Sequence, residues 1–210
     1  MRAAGRLLRL RGEGNLGTLF SGGLLAVAAA LFALVATVER IRRSRDVVYW
    51  RVLALGFLYL SADELLALHE RMNGPMRALL GDDRAAMLHF AWVLPAIVAV
   101  LLVGISLVGF WRRLEPDTRL RTAVAAAVYL GGAFGMEVVG GAHARAHGAT
   151  AQYVAIATIE EALEMAGVIL LIRALLDLLG SRGTVLALAP TPMTDTASRP
   201  SPDPPAALML

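Results

Sequence analysis

The sequence predicts an all-α membrane protein, a polytopic bundle of about five transmembrane helices. Hydrophobic residues make up 57% of the 210 residues and charged residues only 18%. A soluble domain has about 45–50% apolar and about 25% charged residues. The mean hydropathy is +0.62, and the apolar residues lie in blocks that approach the roughly 20 residues of a spanning helix.

Each of five blocks has its own character. The first has no charged residue, the second ends in the acidic segment LSADELLALHE, and the third has a proline near its start. The fourth is rich in alanine and glycine, and the fifth contains three glutamates. The bundle is predicted over 16–180, with helices at about 16–38, 47–69, 88–111, 122–142 and 152–179.

Two segments flank the predicted bundle. Residues 1–15 are basic, like the start of a signal peptide, but no small-x-small cleavage site follows the first apolar block. We therefore expect that block to be a retained helix. Residues 189–210 are rich in Pro, Ser and Thr and carry too little apolar surface to fold, which predicts a disordered tail.

Arginines between the blocks predict the orientation. They are densest after the first and third predicted helices: Arg40, Arg42, Arg43, Arg45, Arg112, Arg113, Arg119 and Arg121. Because cytoplasmic loops of inner-membrane proteins are rich in Lys and Arg, these loops and the tail are expected in the cytoplasm of a bacterium. Five helices then place the N-terminal segment outside, although it is basic too, so the orientation and the helix count stay open.

Composition also excludes several classes of function. The chain has no cysteine, so a disulfide, a thiolate metal site and a cysteine nucleophile are excluded. All 20 basic residues are arginine, which excludes a Schiff-base lysine. The arginines lie between apolar blocks as topology signals, so nucleic acid is not an expected partner. Membrane lipids are expected partners, and a homo-oligomer is left open.

Three acids mark the fifth block as the most informative part of the chain. Ionised acids at bilayer depth are costly, so they are rare and usually functional. Glu160 and Glu164 are four residues apart and share a helix face, and Glu161 and Glu164 are three apart. Glu164 therefore lies between the other two. The alternative is that the three are protonated carboxyl groups that hydrogen-bond between helices.

Alternation of helix direction predicts that further acids and a histidine gather at the same membrane face. Asp63, Glu64, His69 and Glu70 end the second block, and Glu137 lies near the end of the fourth. At a rise of about 1.5 Å per residue, acids on three helices reach overlapping depths. Asp63 and Glu70 are expected to share one helix face, whereas Glu64 and His69 point elsewhere.

Glycines in the fourth block predict a close helix–helix contact. Gly131 and Gly135 form a small-xxx-small step, with Gly132 beside it. Such steps let a neighbouring helix approach closely in a membrane.

The leading hypothesis is a metal site in a polar cavity toward the outer leaflet. Carboxylates with imidazole and no thiolate suit Fe, Mn or Zn, in a divalent or di-metal site. If the site is catalytic, the metal activates water or oxygen at a lipid or other hydrophobic substrate, and the central Glu164 is the candidate general base. The candidate ligands are Glu160, Glu161, Glu164, Glu137, Asp63, Glu64, His69 and Glu70.

Two alternatives use the same acids. In the first, the protein is a proton- or cation-coupled transporter, in which the acids bind protons and cations. The chain is short and has no visible inverted repeat, so a homodimer is needed to supply enough helices. In the second, it is a structural or accessory membrane protein, and the acids only connect helices.

Three segments together resemble a known group of sequences. These are LSADELLALHE, of the pattern LSxDExxxxHE, the segment GGAFGMEVVGG, and IEEALEMAG, of the pattern EExxEMxG. In them the chain resembles a family of uncharacterised small bacterial multi-pass membrane proteins, over the second to fifth predicted helices. The resemblance implies that the acidic segments belong together, and it implies no particular activity.

Overall fold

The computed structural model describes residues 16–68, 71, 75, 93–148 and 150–182. All regular structure within these residues is helical, which confirms the predicted all-α class. The five helices are α1 (Leu16–Ile41), α2 (Val47–Leu66), α3 (Val93–Trp111), α4 (Pro116–His147) and α5 (Ala151–Ser181). Helix α4 contains one π-helical segment, Gly131–Met136, between two α-helical parts.

The helices follow the predicted apolar blocks but differ in detail. Helix α4 begins six residues before its predicted block, because Pro116 suits the first turn of a helix. Two helices, α1 and α4, are long and apolar enough to cross a membrane, and Pro95–Trp111 is a shorter apolar helix. Helices α2 and α5 contain the acids and additional arginines, which lowers their hydropathy.

Two antiparallel hairpins form the body of the fold. Helices α1 and α2 pack along each other, as do α4 and α5, and α1 also packs against α5. The buried Ser61 hydroxyl of α2 donates a hydrogen bond to the Gly22 carbonyl of α1 at 2.8 Å, which fixes the register of the first hairpin.

The tightest packing lies at the end of the bundle where the arginine-rich loops are. Trp50 is 2% exposed and meets Phe110 edge-on, with ring centroids 4.9 Å apart. Phe32 and Leu175 belong to the same buried cluster, so α1, α2, α3 and α5 all contribute to it. Here aromatic rings fill the space between the helices.

Ion pairs connect different segments of the chain at the same end. Glu39, 5% exposed, pairs with Arg182, which joins the end of α1 to the end of α5. Arg113 pairs with Asp46 at 2.5 Å, and Arg121 pairs with Asp177. We call this region, with its loops and the aromatic cluster, the basic end of the bundle.

The close contact between α4 and α5 uses glycines other than the predicted pair. Gly131 and Gly135 have open space where a side chain would be, so the predicted step is wrong. Gly132 instead faces the α5 backbone, and Gly167 of α5 faces the backbone of Tyr129. The π-helical turn is wider than an α-helical one, so a helical wheel of regular period misplaces the side chains around it.

Helix α2 ends three residues before the predicted boundary of 69. Ala67 caps it in the left-handed conformation, with φ of 48°, and its N–H donates to the Asp63 carbonyl. An L-residue with a Cβ is strained there by about 1–2 kcal/mol. The strain lies within one turn of Asp63 and Glu64.

Candidate functional site

A cavity of about 1020 Å³ lies between the helices, and all five helices contribute to its lining. Its most unusual feature is a group of acidic side chains from α2, α4 and α5. This acidic set consists of Asp63, Glu64, Glu137, Glu160, Glu161 and Glu164. The opposite part of the lining is apolar and reaches the aromatic cluster of the basic end.

The antiparallel packing of α4 and α5 brings Glu137 and Glu160 together. A Cβ added to Gly132 would meet the Glu160 carbonyl at 3.0 Å, so the two backbones are in close contact. Five residues later in α4, the Glu137 side chain forms a hydrogen bond with that of Glu160. Glu161 and Glu164 lie close enough to Glu160 to interact with it electrostatically.

The bond between Glu137 and Glu160 has a chemical consequence. An ionised carboxylate only accepts hydrogen bonds, so one of two bonded carboxyl groups must carry a proton. The pair is therefore built to share a proton.

The structure brings six of the eight predicted site residues to this one cavity. Asp63 and Glu64 both line it, although they are expected on different faces of α2. Adjacent helical residues are about 100° apart, and a wide cavity accommodates both directions. His69 and Glu70 lie outside the described residues. Among the described residues, no group of three or more His, Asp or Glu side chains is close enough to hold a metal ion.

The described basic side chains near this end do not line the cavity. Neither Arg71 nor Arg145 is among its lining residues. His143 and His147 do not line it either; their rings stack 4.8 Å apart, and His143 bonds to the Thr150 hydroxyl at 2.7 Å. Within the part of the chain that the structure describes, the cavity lining contains acids and no basic residue.

Sequence reasoning missed the non-acidic members of the site. Tyr129, Phe134 and Phe57 line the cavity, along with aliphatic residues of α3. Aromatic residues on apolar helices look like ordinary packing residues in a sequence. Phe134 lies three residues before Glu137 but within the π-helical segment, so regular helical spacing gives no signal for it.

Tyr129 is the most distinctive of these residues. It is half-buried and lies in the cavity wall near Asp63, Glu64 and Glu164. A phenol in such a wall can form a hydrogen bond with a molecule in the cavity.

Comparison with known proteins gives one match. A family model described as a domain of unknown function, DUF8692, matches residues 6–179. Neither the curated proteins nor the solved structures give a match.

Proposed function

The chain belongs to the DUF8692 family, and we propose that it is a multi-pass membrane protein that exchanges protons for another cation. The observation that carries the proposal is one cavity lined by six carboxyl groups and, in the described part, by no basic side chain. Such a lining favours cations and disfavours anions. The proton shared by Glu137 and Glu160 provides the group to be exchanged.

Five membrane crossings are part of this proposal. Two helices meet the length and composition criterion, and exposed apolar side chains on α2 and α3 support the others. Leu55, Leu58, Leu101 and Ile105 are each more than half exposed, which suits lipid contact. The proposed location is the bacterial inner membrane, with the basic end and the tail in the cytoplasm. A homo-oligomer would supply the helices that a carrier of this size lacks.

Flux through liposomes tests the exchange. The protein is reconstituted with a pH-sensitive dye inside, and sodium, manganese(II) or an organic ammonium ion is added outside. We expect at least one of these cations to drive protons out and raise the internal pH. A double variant, Glu160→Gln with Glu164→Gln, should remove the response. Glu115→Gln, an exposed acid of the basic end, is the matched control and should keep it.

No proton movement with any cation would overturn the proposal. If the double variant lost folding stability and the wild type moved no protons, the acids would have only the structural role.

A metal-dependent enzyme is the second candidate. Carboxyl oxygens from three helices line one cavity, and oxygen ligands suit Mn, Fe or Zn. His69 and Glu70 would complete the ligand set, and Glu164 would act as general base. Mass spectrometry of the purified protein tests this directly. One or two equivalents of metal in the wild type, lost in the Glu160→Gln and Glu164→Gln double variant, would favour the metalloprotein.

A further inference from the structure

The cavity extends well beyond the acidic set. From Glu160 to Leu171, both in its lining, α5 advances about 16 Å. Apart from the acids, the lining that the other helices contribute is largely apolar and partly aromatic, and it includes Phe57, Val100, Leu107, Trp111 and Phe134. A proton or a bare inorganic ion needs only oxygen ligands and would leave this stretch unused.

The volume is that of a small-molecule site. At about 1020 Å³, it lies at the upper limit of the range of about 300–1,000 Å³ that is typical of such pockets, and slightly above it. Pockets of this kind combine an apolar wall with a few polar groups that orient the ligand. Here the polar groups are the acids and the Tyr129 hydroxyl.

Two features point to a cation with an apolar body. The acids supply negative charge at one end, and the described lining has no basic side chain that would hold an anion. Phe134 and Glu137 line the same cavity from neighbouring positions of α4, so the cavity contains aromatic faces as well as carboxyl groups. A cation beside an aromatic face gains a further electrostatic attraction.

We propose that the cation exchanged for the proton is an amphipathic organic cation of the ammonium or phosphonium class. Its charged group binds among Glu137, Glu160 and Glu164, and its apolar part lies along Phe57, Phe134 and the aliphatic residues of α3. On binding, the proton between Glu137 and Glu160 leaves to solvent, and the carboxylate left behind balances the bound charge. This inference rests on the proposed exchange function and specifies its substrate class.

Equilibrium binding of tetraphenylphosphonium tests the inference. The protein is held in a non-ionic detergent, and the probe is compared with tetraphenylborate, which has a similar shape and a negative charge. Tetramethylammonium, which has the charge without the apolar body, is the second comparison. We expect tetraphenylphosphonium to bind at least about tenfold more tightly than either, because only it satisfies both parts of the cavity.

Variants separate the two parts of the site. Glu160→Gln with Glu164→Gln should lower tetraphenylphosphonium affinity by at least about tenfold. Phe57→Leu with Phe134→Leu keeps apolar bulk and removes two rings, and it should lower that affinity by about tenfold as well. The second variant guards against misfolding of the first, since it leaves the acids in place. Circular dichroism checks that both variants keep the helical fold.

The outcomes distinguish this inference from the proposed function. Equal binding of the phosphonium and the borate, or unchanged phosphonium binding in the glutamine variant, would overturn the inference. If sodium or manganese(II) moved protons in liposomes while the phosphonium failed to bind, the substrate class would be wrong and the exchange function would stand. If no cation bound or moved protons, both would fail.

Discussion

The basic end of the bundle and the opposite end, which contains the acidic set and is called the acidic end, use charged residues in opposite ways. At the basic end the pairs join opposite charges, and Glu39–Arg182 and Asp46–Arg113 connect different parts of the bundle. At the acidic end Glu160 instead bonds to another acid, Glu137, on the wall of a cavity. Pairs of opposite charge hold helices together, whereas grouped acids cost stability and indicate binding.

The two ends also differ in how their interior is filled. Rings of Phe32, Trp50 and Phe110 pack against one another at the basic end and form the apolar wall of the cavity there. The acidic end lines the same cavity with carboxyl groups and contains Ala67 in a strained conformation, next to the acids of α2. Strain and open volume tend to persist where function requires them. Substitutions at the basic end should therefore affect folding, and those at the acidic end should affect binding.

The largest expected effect is at the buried ion pair of the basic end. Glu39→Gln leaves the Arg182 guanidinium without its charge partner in a site where Glu39 is 5% exposed. Removal of one member of a buried pair costs about 3–5 kcal/mol; we expect about 3 kcal/mol, since the pair lies at a helix end. The measurement is chemical unfolding in detergent.

Asp117→Asn is the control for that measurement. Asp117 also pairs with an arginine, at 3.8 Å, but its side chain is 89% exposed. An exposed helix pair is worth about 0.3–0.5 kcal/mol, so the stability should hardly change. If the two variants lost the same free energy of unfolding, burial would not be what makes the Glu39–Arg182 pair stabilising.

The next effect is at the contact between α4 and α5. In Gly167→Ala the added methyl group would lie 2.6 Å from the backbone nitrogen of Tyr129, so the helices must separate. Overpacking costs about 1–3 kcal/mol, and we expect about 2 kcal/mol by thermal unfolding. Gly56→Ala, with open space at its Cβ, should instead gain a little helix stability. A Gly167→Ala variant as stable as the wild type would mean that α4 and α5 are not in close backbone contact at this glycine.

A smaller effect is expected where α2 ends. Ala67→Gly removes the penalty of a Cβ in the left-handed conformation and should raise stability by about 1 kcal/mol. Ala62→Gly, inside the same helix, should lower it by about 1 kcal/mol. The two melting temperatures should therefore move in opposite directions. A loss in both variants would show that Ala67 is not strained.

The smallest expected change in stability comes from the acids themselves. Glu160→Gln with Glu164→Gln keeps the side-chain shape and the hydrogen-bonding capacity, and it removes two groups that are costly when ionised. The free energy of unfolding should stay within about 0.5 kcal/mol of wild type, or rise. A loss comparable to that of Glu39→Gln would support the structural role of the acids and erase the difference between the ends.

Labelling tests whether the two ends face opposite sides of a membrane. The chain has no cysteine, so each introduced thiol is unique. Ala146→Cys at the acidic end should react with an impermeant reagent in intact cells whose outer membrane is permeabilised. Glu115→Cys at the basic end should react only after the inner membrane is opened. Labelling of both from one side would contradict five crossings.

The helices and the gathering of acids were accessible from the sequence for simple physical reasons. Long apolar blocks specify helices, and alternating direction puts Asp63, Glu137 and Glu160 at one end. The contact glycines, the π-helical turn and the left-handed Ala67 were not accessible, because tertiary packing decides them. The same holds for Tyr129 and Phe134, whose role depends on a cavity that no single helix contains.

Proton release on cation binding tests the central claim most directly. The purified protein in weakly buffered detergent solution is titrated with a cation that drives exchange, and the pH is recorded. The acidic end should release about one proton per bound cation, because the proton shared by Glu137 and Glu160 must leave. The Glu160→Gln and Glu164→Gln double variant should release none. Cation binding without proton release in the wild type would contradict exchange at this site.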